Sequence, residues 1–79
     1  MKKIIKNFII SNNNEKIKGT NTLVYSLNSI DGDYLGIMTF KDNILPKTDD
    51  ELLECCLWKA SETMPWKYSF EGFKLWKRK

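Results

Sequence analysis

The dipeptide Asp31-Gly32 lies between two stretches of alternating apolar and polar residues, 22–29 and the segment that runs to Phe40. Asp-Gly is a strong hairpin signal because a type I′ turn needs a positive φ at both central residues. The sequence therefore predicts an antiparallel hairpin with a two-residue turn. In that hairpin Ile30 opposes Asp33.

This turn also sets the register of the hairpin, since a slip of one residue would exchange its two faces. The predicted pairs beyond the turn are Leu27 with Gly36, Tyr25 with Met38, and Leu23 with Phe40. One face then forms the predicted core side: Leu23, Tyr25, Leu27, Met38 and Phe40. The other face is a mixed surface that can meet water: Val24, Ser26, Asn28, Leu35, Ile37 and Thr39.

Two further segments have strand character. Residues 3–10 are rich in β-branched and aromatic residues and stop at the turn-forming segment 11–14, so they predict a first strand. The next predicted strand is the first strand of the hairpin, which we expect to begin near Lys16 and whose stronger part is 22–29. Residues 66–76 predict a last strand, or two short strands around a bulge or turn at Gly72.

A helix is predicted between Thr48 and Pro65. Thr48 and Glu51 have the spacing of a capping box, and acidic residues follow the cap at the positive end of the helix dipole. Helical spacing gathers one apolar stripe: Leu52, Leu53, Cys56, Leu57, Ala60 and Met64. Together these elements predict one small α+β domain over residues 1–79. Its antiparallel sheet of about four strands, ordered β-β-β-α-β along the chain, has the helix packed on one face.

Composition argues against several classes of function. A chain of 79 residues has room for one thin core and not for a deep catalytic cleft. Histidine is absent, which removes Ser-His and Cys-His nucleophile pairs and most zinc sites. Cys56 lies on the core stripe, whereas Cys55 lies at its edge, where a packed residue and a reactive thiol are both open interpretations.

The acidic residues have structural explanations. Asp31 and Asp33 flank Gly32 and invite a calcium-loop interpretation, but such a loop needs more oxygen ligands at set spacing, and a hairpin turn accounts for both. The four glycines are dispersed and do not form a phosphate-binding loop. We therefore expect no enzyme activity, no cofactor and no metal.

The amino terminus begins like a signal peptide, but Lys6 and Asn7 interrupt its apolar run. No apolar stretch approaches the length of a membrane span. Two adjacent cysteines without a mutual disulfide suit a reducing compartment. We expect a cytoplasmic protein with no membrane contact, and the many Lys, Asn and Ile residues suggest a bacterium, phage or mobile element with an AT-rich genome.

Charge is distributed unevenly along the chain. Residues 1–18 and 63–79 each carry five cations against one acid, while residues 19–62 carry three lysines against eight acids. Neighbouring terminal strands would merge the basic ends into one patch that also contains aromatic residues, as in single-stranded nucleic-acid binders. The candidate nucleic-acid contacts are Lys3, Lys6, Lys74, Trp76, Lys77 and Arg78. The alternative interpretation is that these charges only keep the chain soluble.

Trp58 lies on the predicted helix but roughly 160° from the centre of its apolar stripe. Either another segment covers this indole, or it is a contact for a protein partner, with Glu54, Lys59 and Glu62 as a polar rim. The leading hypothesis is a non-enzymatic protein-binding module, such as a phage or mobile-element accessory protein or inhibitor that occupies a surface of a larger host protein or nucleoprotein. The alternative is a nucleic-acid-binding module. The sequence leaves the oligomeric state open, a homodimer included.

Overall fold

The computed structural model describes residues 2–12, 17–43 and 45–71. Its elements are four strands, a short 3-10 turn and one helix: β1 (Lys2–Ile5), β2 (Phe8–Ser11), β3 (Leu23–Ser29), β4 (Tyr34–Phe40), the 3-10 turn (Lys41–Asn43) and α1 (Asp49–Thr63). The strands form one antiparallel sheet in the order β1-β2-β3-β4. The α+β class, the four-stranded antiparallel sheet and the single helix are confirmed.

The amino-terminal segment differs from its prediction, because residues 3–10 form two strands and not one. Ile5 pairs with Phe8 across a two-residue turn at Lys6 and Asn7, and Lys6 has a φ of 53°. β2 then pairs with β3, so that Ile10 lies opposite Leu27. This reversal places both Ile5 and Phe8 in the core, which a single continuous strand would not do.

The central hairpin, β3–β4, keeps the predicted register away from its turn and differs at the turn itself. Leu27 with Gly36, Tyr25 with Met38 and Leu23 with Phe40 are paired as predicted. The predicted opposition of Ile30 and Asp33 is wrong.

The backbone N–H of Ser29 donates instead to the carbonyl of Asp33 at 2.9 Å. This bond closes a three-residue loop, in which Gly32 has positive φ and Asp31 does not. The predicted type I′ turn is therefore wrong as well.

A bulge in β4 reconciles this longer loop with the predicted pairs. Asn28 pairs with Tyr34, while Leu27 pairs with Gly36, so Leu35 is the extra residue between them. Gly36 has a φ of 105°. A bulge leaves its extra residue outside the regular alternation, and Leu35 is completely buried. The prediction that Leu35 lies on the mixed outer face is wrong for this reason.

Helix α1 begins with the predicted capping box. The Thr48 hydroxyl accepts the backbone N–H of Glu51 at 3.1 Å, and the Glu51 carboxylate accepts the N–H of Thr48 at 3.2 Å. The helix ends at Thr63, two residues before Pro65, since proline cannot continue the hydrogen-bond ladder.

The buried face of α1 is turned relative to the predicted stripe. Leu52, Cys55, Cys56 and Ala60 are buried. Leu53, Leu57 and Met64 are partly buried against the core. The buried arc is thus centred about 60° nearer to Cys55 than predicted.

The core lies between α1 and one face of the sheet. Its buried apolar residues come from the inward positions of all four strands and from the helix: Ile5, Phe8, Ile10, Tyr25, Leu27, Leu35, Met38, Phe40, Leu52, Cys55, Cys56 and Ala60. Of the predicted sheet core, Leu23 alone is only partly buried. The carboxyl end of α1 is fixed to β4, because the Thr63 hydroxyl donates to the Leu35 carbonyl at 2.8 Å.

The segment after the helix returns to the sheet without forming a strand in residues 64–71. The ring of Tyr68 packs 5.8 Å from that of Phe8, and the ammonium of Lys67 lies 2.6 Å from a carboxylate oxygen of Asp33. The predicted last strand, 66–76, is therefore absent over 66–71, and its remainder lies outside the described residues. In the described residues all four strands precede α1, so the chain order there is β-β-β-β-α and differs from the predicted order β-β-β-α-β.

Candidate protein-binding surface on helix α1

Trp58 lies on the solvent side of α1, and 41% of its surface is exposed. Its position is about 135° from the centre of the buried arc, since successive residues turn by about 100°. The residues one turn before and after it, Glu54 and Glu62, share that side. The Ser61 hydroxyl donates to the Trp58 carbonyl at 2.8 Å, within the helix itself. A regular helix therefore holds the indole at its outer surface.

The predicted rim of Trp58 is only partly assembled around it. Glu62 is exposed and accepts the Lys59 ammonium at 3.4 Å. Lys59 points toward the sheet, because its Cε lies 2.8 Å from the position that a Cβ on Gly36 would take. The aliphatic part of Lys59 thus packs on the bulge of β4. Glu54 and Glu62 flank the indole, whereas Lys59 connects this surface to the sheet.

The surface around Trp58 is acidic. Helix α1 contains five acids and one lysine. One of these acids, Asp49, is paired with Lys3 at 2.7 Å, and Glu51 serves the capping box. Glu54 and Glu62 lie on the same side of the helix as the indole, and Glu62 is paired with Lys59. A negative surface with a central aromatic side chain suits a partner with cationic groups around an apolar depression.

Neither thiol of the helix has the character of a nucleophile. Burial, with smaller contributions from Glu54 and Glu51, raises the pKa of Cys55 to about 11. Burial raises the pKa of Cys56 to about 12, and the neighbouring Cys55 adds to that shift. Both cysteines are free and buried. Since the thiolate is the reactive form, the structure favours packing over reactivity for Cys55, which the sequence had left open.

The predicted basic patch falls largely outside the described residues, where Lys74, Trp76, Lys77 and Arg78 lie. Of its two described members, Lys3 is in the ion pair with Asp49, and Lys6 is exposed in the β1–β2 turn. Lys3 points to the helix side of the sheet, as its opposition to the buried Ile10 requires. The patch therefore stays a prediction.

Trp66 is a strongly exposed aromatic residue, which was predicted from the sequence to lie in a strand. It lies in the turn after Pro65, and 79% of its surface is accessible. Pro65 could have indicated this, because the residue after a helix-ending proline often belongs to a turn. Among the described residues, two tryptophans are exposed in different settings, one on a regular helix and one in a turn.

The described residues contain neither a metal-binding cluster nor a membrane-spanning helix. Within residues 2–12, 17–43 and 45–71, no three histidine, cysteine or acidic side chains come close enough to hold a metal ion. No helix in that part of the chain has the length and apolar character needed to cross a bilayer. Comparison with known proteins found no matching family model, no matching curated protein and no matching solved structure.

Proposed function

We propose that the protein is a non-enzymatic protein-binding module that uses the Trp58 surface of α1 to occupy a surface of a larger partner. The observation that carries this proposal is the placement of the indole. The large aliphatic side chains of α1 are buried or partly buried in the core, while its one aromatic side chain faces solvent. Tryptophan is enriched among the residues that dominate binding energy.

The support of this surface favours binding by a rigid element. α1 is capped at its amino end by Thr48 and fixed at its carboxyl end through Thr63. A helix backbone already held in place loses little conformational freedom on association, which reduces the entropic cost of binding. The surface resembles the helix-face recognition used by many small binding domains.

The charge of the surface indicates the chemistry of the partner. Glu54 and Glu62 border the indole, so a partner with lysine or arginine around an apolar pocket would complement it. A host protein that itself binds nucleic acid would carry such groups. A phage or mobile-element inhibitor that blocks a host nucleoprotein is the biological role that we propose for this surface.

The nucleic-acid alternative has less support among the described residues. Lys3, Lys59 and Lys67 are each within ion-pair distance of a carboxylate. Lysines engaged in this way contribute less to a phosphate-binding field than unpaired ones. No described contact favours a nucleic acid, so the protein partner is the proposal that we retain.

Replacement of Trp58 by alanine tests the proposal, with Trp66→Ala as the matched control. We expect Trp58→Ala to cost about 1 kcal/mol or less of unfolding free energy, well below the 3–5 kcal/mol of a buried aromatic. Capture of the partner from a bacterial lysate treated with nuclease should weaken by tenfold or more. Trp66→Ala should leave capture unchanged.

Three results would contradict the proposal. A loss of several kcal/mol in Trp58→Ala would assign the indole to the fold. Intact stability with intact capture would remove Trp58 from the interface. Loss of all capture after nuclease treatment, with retention on single-stranded DNA at low salt, would favour the nucleic-acid alternative.

A further inference from the structure

The sheet face opposite α1 is open in the described part of the chain. The register places ten residues on this outer face: Lys2, Ile4, Ile9, Ser11, Val24, Ser26, Asn28, Tyr34, Ile37 and Thr39. Three large side chains among them are well exposed, Ile4 at 61%, Tyr34 at 56% and Ile37 at 48%. Ile9, opposite Ile4, and Val24, opposite Thr39, are half-buried on the same face. The exposed apolar side chains lie on the two edge strands, with Ser26 and Asn28 of β3 between those of β2 and β4. Exposed apolar surface rimmed or interrupted by polar groups is a feature of association sites.

The outer face is almost free of charge, although 29% of the residues of the chain are charged. Only Lys2 carries a charge, and it lies at the start of the edge strand β1, at a corner of the face. Depletion of charged residues is the compositional mark of the centre of a protein interface. A polyanion or a strongly charged protein would find no complement on this face.

The polar groups of the face suit an identical surface. Ser11, Ser26, Thr39 and Tyr34 carry hydroxyls, and Asn28 carries an amide, so each can both donate and accept a hydrogen bond. In a two-fold dimer the same patch meets itself. Charged groups would repel their own copies there, whereas hydroxyls and amides can pair with them.

We propose that two copies of this chain associate face to face through the outer faces of their sheets. Packed sheets lie about 10 Å apart with interdigitated side chains. Four strands of this length give a footprint of roughly 350 Å², under half of the about 800 Å² per partner of a standard interface. A contact of this size is typical of a weak, transient dimer.

This association is independent of the proposed partner surface. α1 packs on the other side of the sheet, so the dimer leaves both Trp58 side chains accessible. A dimeric module would present two such surfaces, and a partner with two sites would be bound more tightly than one surface allows. The two proposals can fail separately.

The test is the mass of the chain in solution, by sedimentation from about 1 µM to about 1 mM. We expect the wild-type chain to shift from monomer to dimer over this range. Ile37→Glu should raise the Kd at least tenfold, because it places a charge against an apolar copy. Ser26→Lys should do the same from the middle of the face without removing an apolar side chain. Ile17→Glu is the matched control, since Ile17 is 46% exposed but lies outside the sheet.

Circular dichroism distinguishes loss of dimer from loss of fold, and Ser26→Lys keeps the test valid if Ile37→Glu unfolds. A wild-type chain that stays monomeric at the highest concentration would overturn the proposal. Equal weakening by Ile17→Glu would overturn it too, because the effect would then be one of net charge. A monomer that loses several degrees of Tm on Ile37→Glu would show that the face is covered within one chain, which also contradicts the proposal.

Discussion

The β1–β2 hairpin and the β3–β4 hairpin reverse the chain by different means. The β3–β4 hairpin has seven-residue strands, and both of its irregular positions, Gly32 and Gly36, are glycines with positive φ. The β1–β2 hairpin has four-residue strands, and its positive φ falls on Lys6, which has a side chain. Glycine thus favours the irregular backbone of the β3–β4 hairpin, whereas the residue with positive φ in the β1–β2 turn gives that turn no such local support.

Tertiary packing accounts for the β1–β2 hairpin. A left-handed conformation costs about 1–2 kcal/mol for a residue with a Cβ, and a two-stranded ribbon is marginal on its own. Ile5, Phe8 and Ile10 are buried, and each such side chain contributes about 1.5–3 kcal/mol. Burial of these three residues offsets the strained turn. The comparison teaches that a hairpin with weak turn residues forms where its reversal places apolar side chains in the core.

The two hairpins also support each other at their turns. The backbone N–H of Ile30, in the β3–β4 loop, donates to the carbonyl of Asn7 at 2.9 Å. This bond joins the strained β1–β2 turn to the β3–β4 loop. Beside it, Lys67 connects the same loop to the segment that follows α1.

Replacement of Phe8 by alanine tests whether burial in the core stabilises the β1–β2 hairpin. Phe8 has no exposed surface and packs against Tyr68, so its loss should cost about 3–5 kcal/mol, enough to unfold much of a domain of this size. Tyr34→Ala, an aromatic change on the outer face of the same sheet, should cost much less. Urea unfolding followed by circular dichroism measures both. Equal costs would refute the view that burial stabilises the β1–β2 hairpin.

Substitution of Gly36 by alanine tests the glycine geometry of the β3–β4 hairpin. The positive φ should cost about 1–2 kcal/mol, and the new Cβ would lie 2.8 Å from Cε of Lys59, the far part of a flexible side chain that can move. Gly32→Ala is the matched control, because its φ is similar and nothing lies within 4 Å.

The difference between the two glycine variants isolates the helix contact. Lys59→Ala should reduce the cost of Gly36→Ala to that of Gly32→Ala. A Gly36→Ala variant as stable as the wild type would contradict the bulge.

The same contrast explains which parts of the fold could be predicted from sequence. The capping box, the helix and the distant register of β3–β4 follow from local signals that the structure uses. Residues 3–10 gave no such signal, since Lys6-Asn7 lacks the glycine that usually marks a turn. The inward position of Leu35 depends on a bulge, and a one-residue irregularity exchanges the faces of a strand.

The candidate surface was predicted in part for similar reasons. Helical periodicity places Trp58 on the solvent side, because that prediction needs only the helix and the approximate position of its apolar stripe. The role of Cys55 was left open by the sequence, because its burial depends on how the sheet packs against α1 and not on the helix sequence alone. Trp66 was assigned to a strand because the aromatic alternation after Pro65 resembles one, while the chain there forms the turn that Pro65 could have indicated.

Substitution of Lys6 by glycine should have the smallest effect on the free energy of unfolding. It should stabilise the fold, whereas a change to glycine usually destabilises it. Removal of the Cβ should relieve about 1–2 kcal/mol of left-handed strain, while the greater freedom of the unfolded chain should take back about 0.4–1 kcal/mol. We therefore expect a net stabilisation of about 0.5 kcal/mol, visible as a rise of a few degrees in Tm. Lys6→Ala is the matched control: it removes the charge and keeps the Cβ, so it should leave Tm nearly unchanged. If Lys6→Gly lowers Tm while Lys6→Ala does not, the turn is not strained at Lys6. Local sequence would then specify the β1–β2 turn as well, and the difference between the two hairpins would rest on strand length alone.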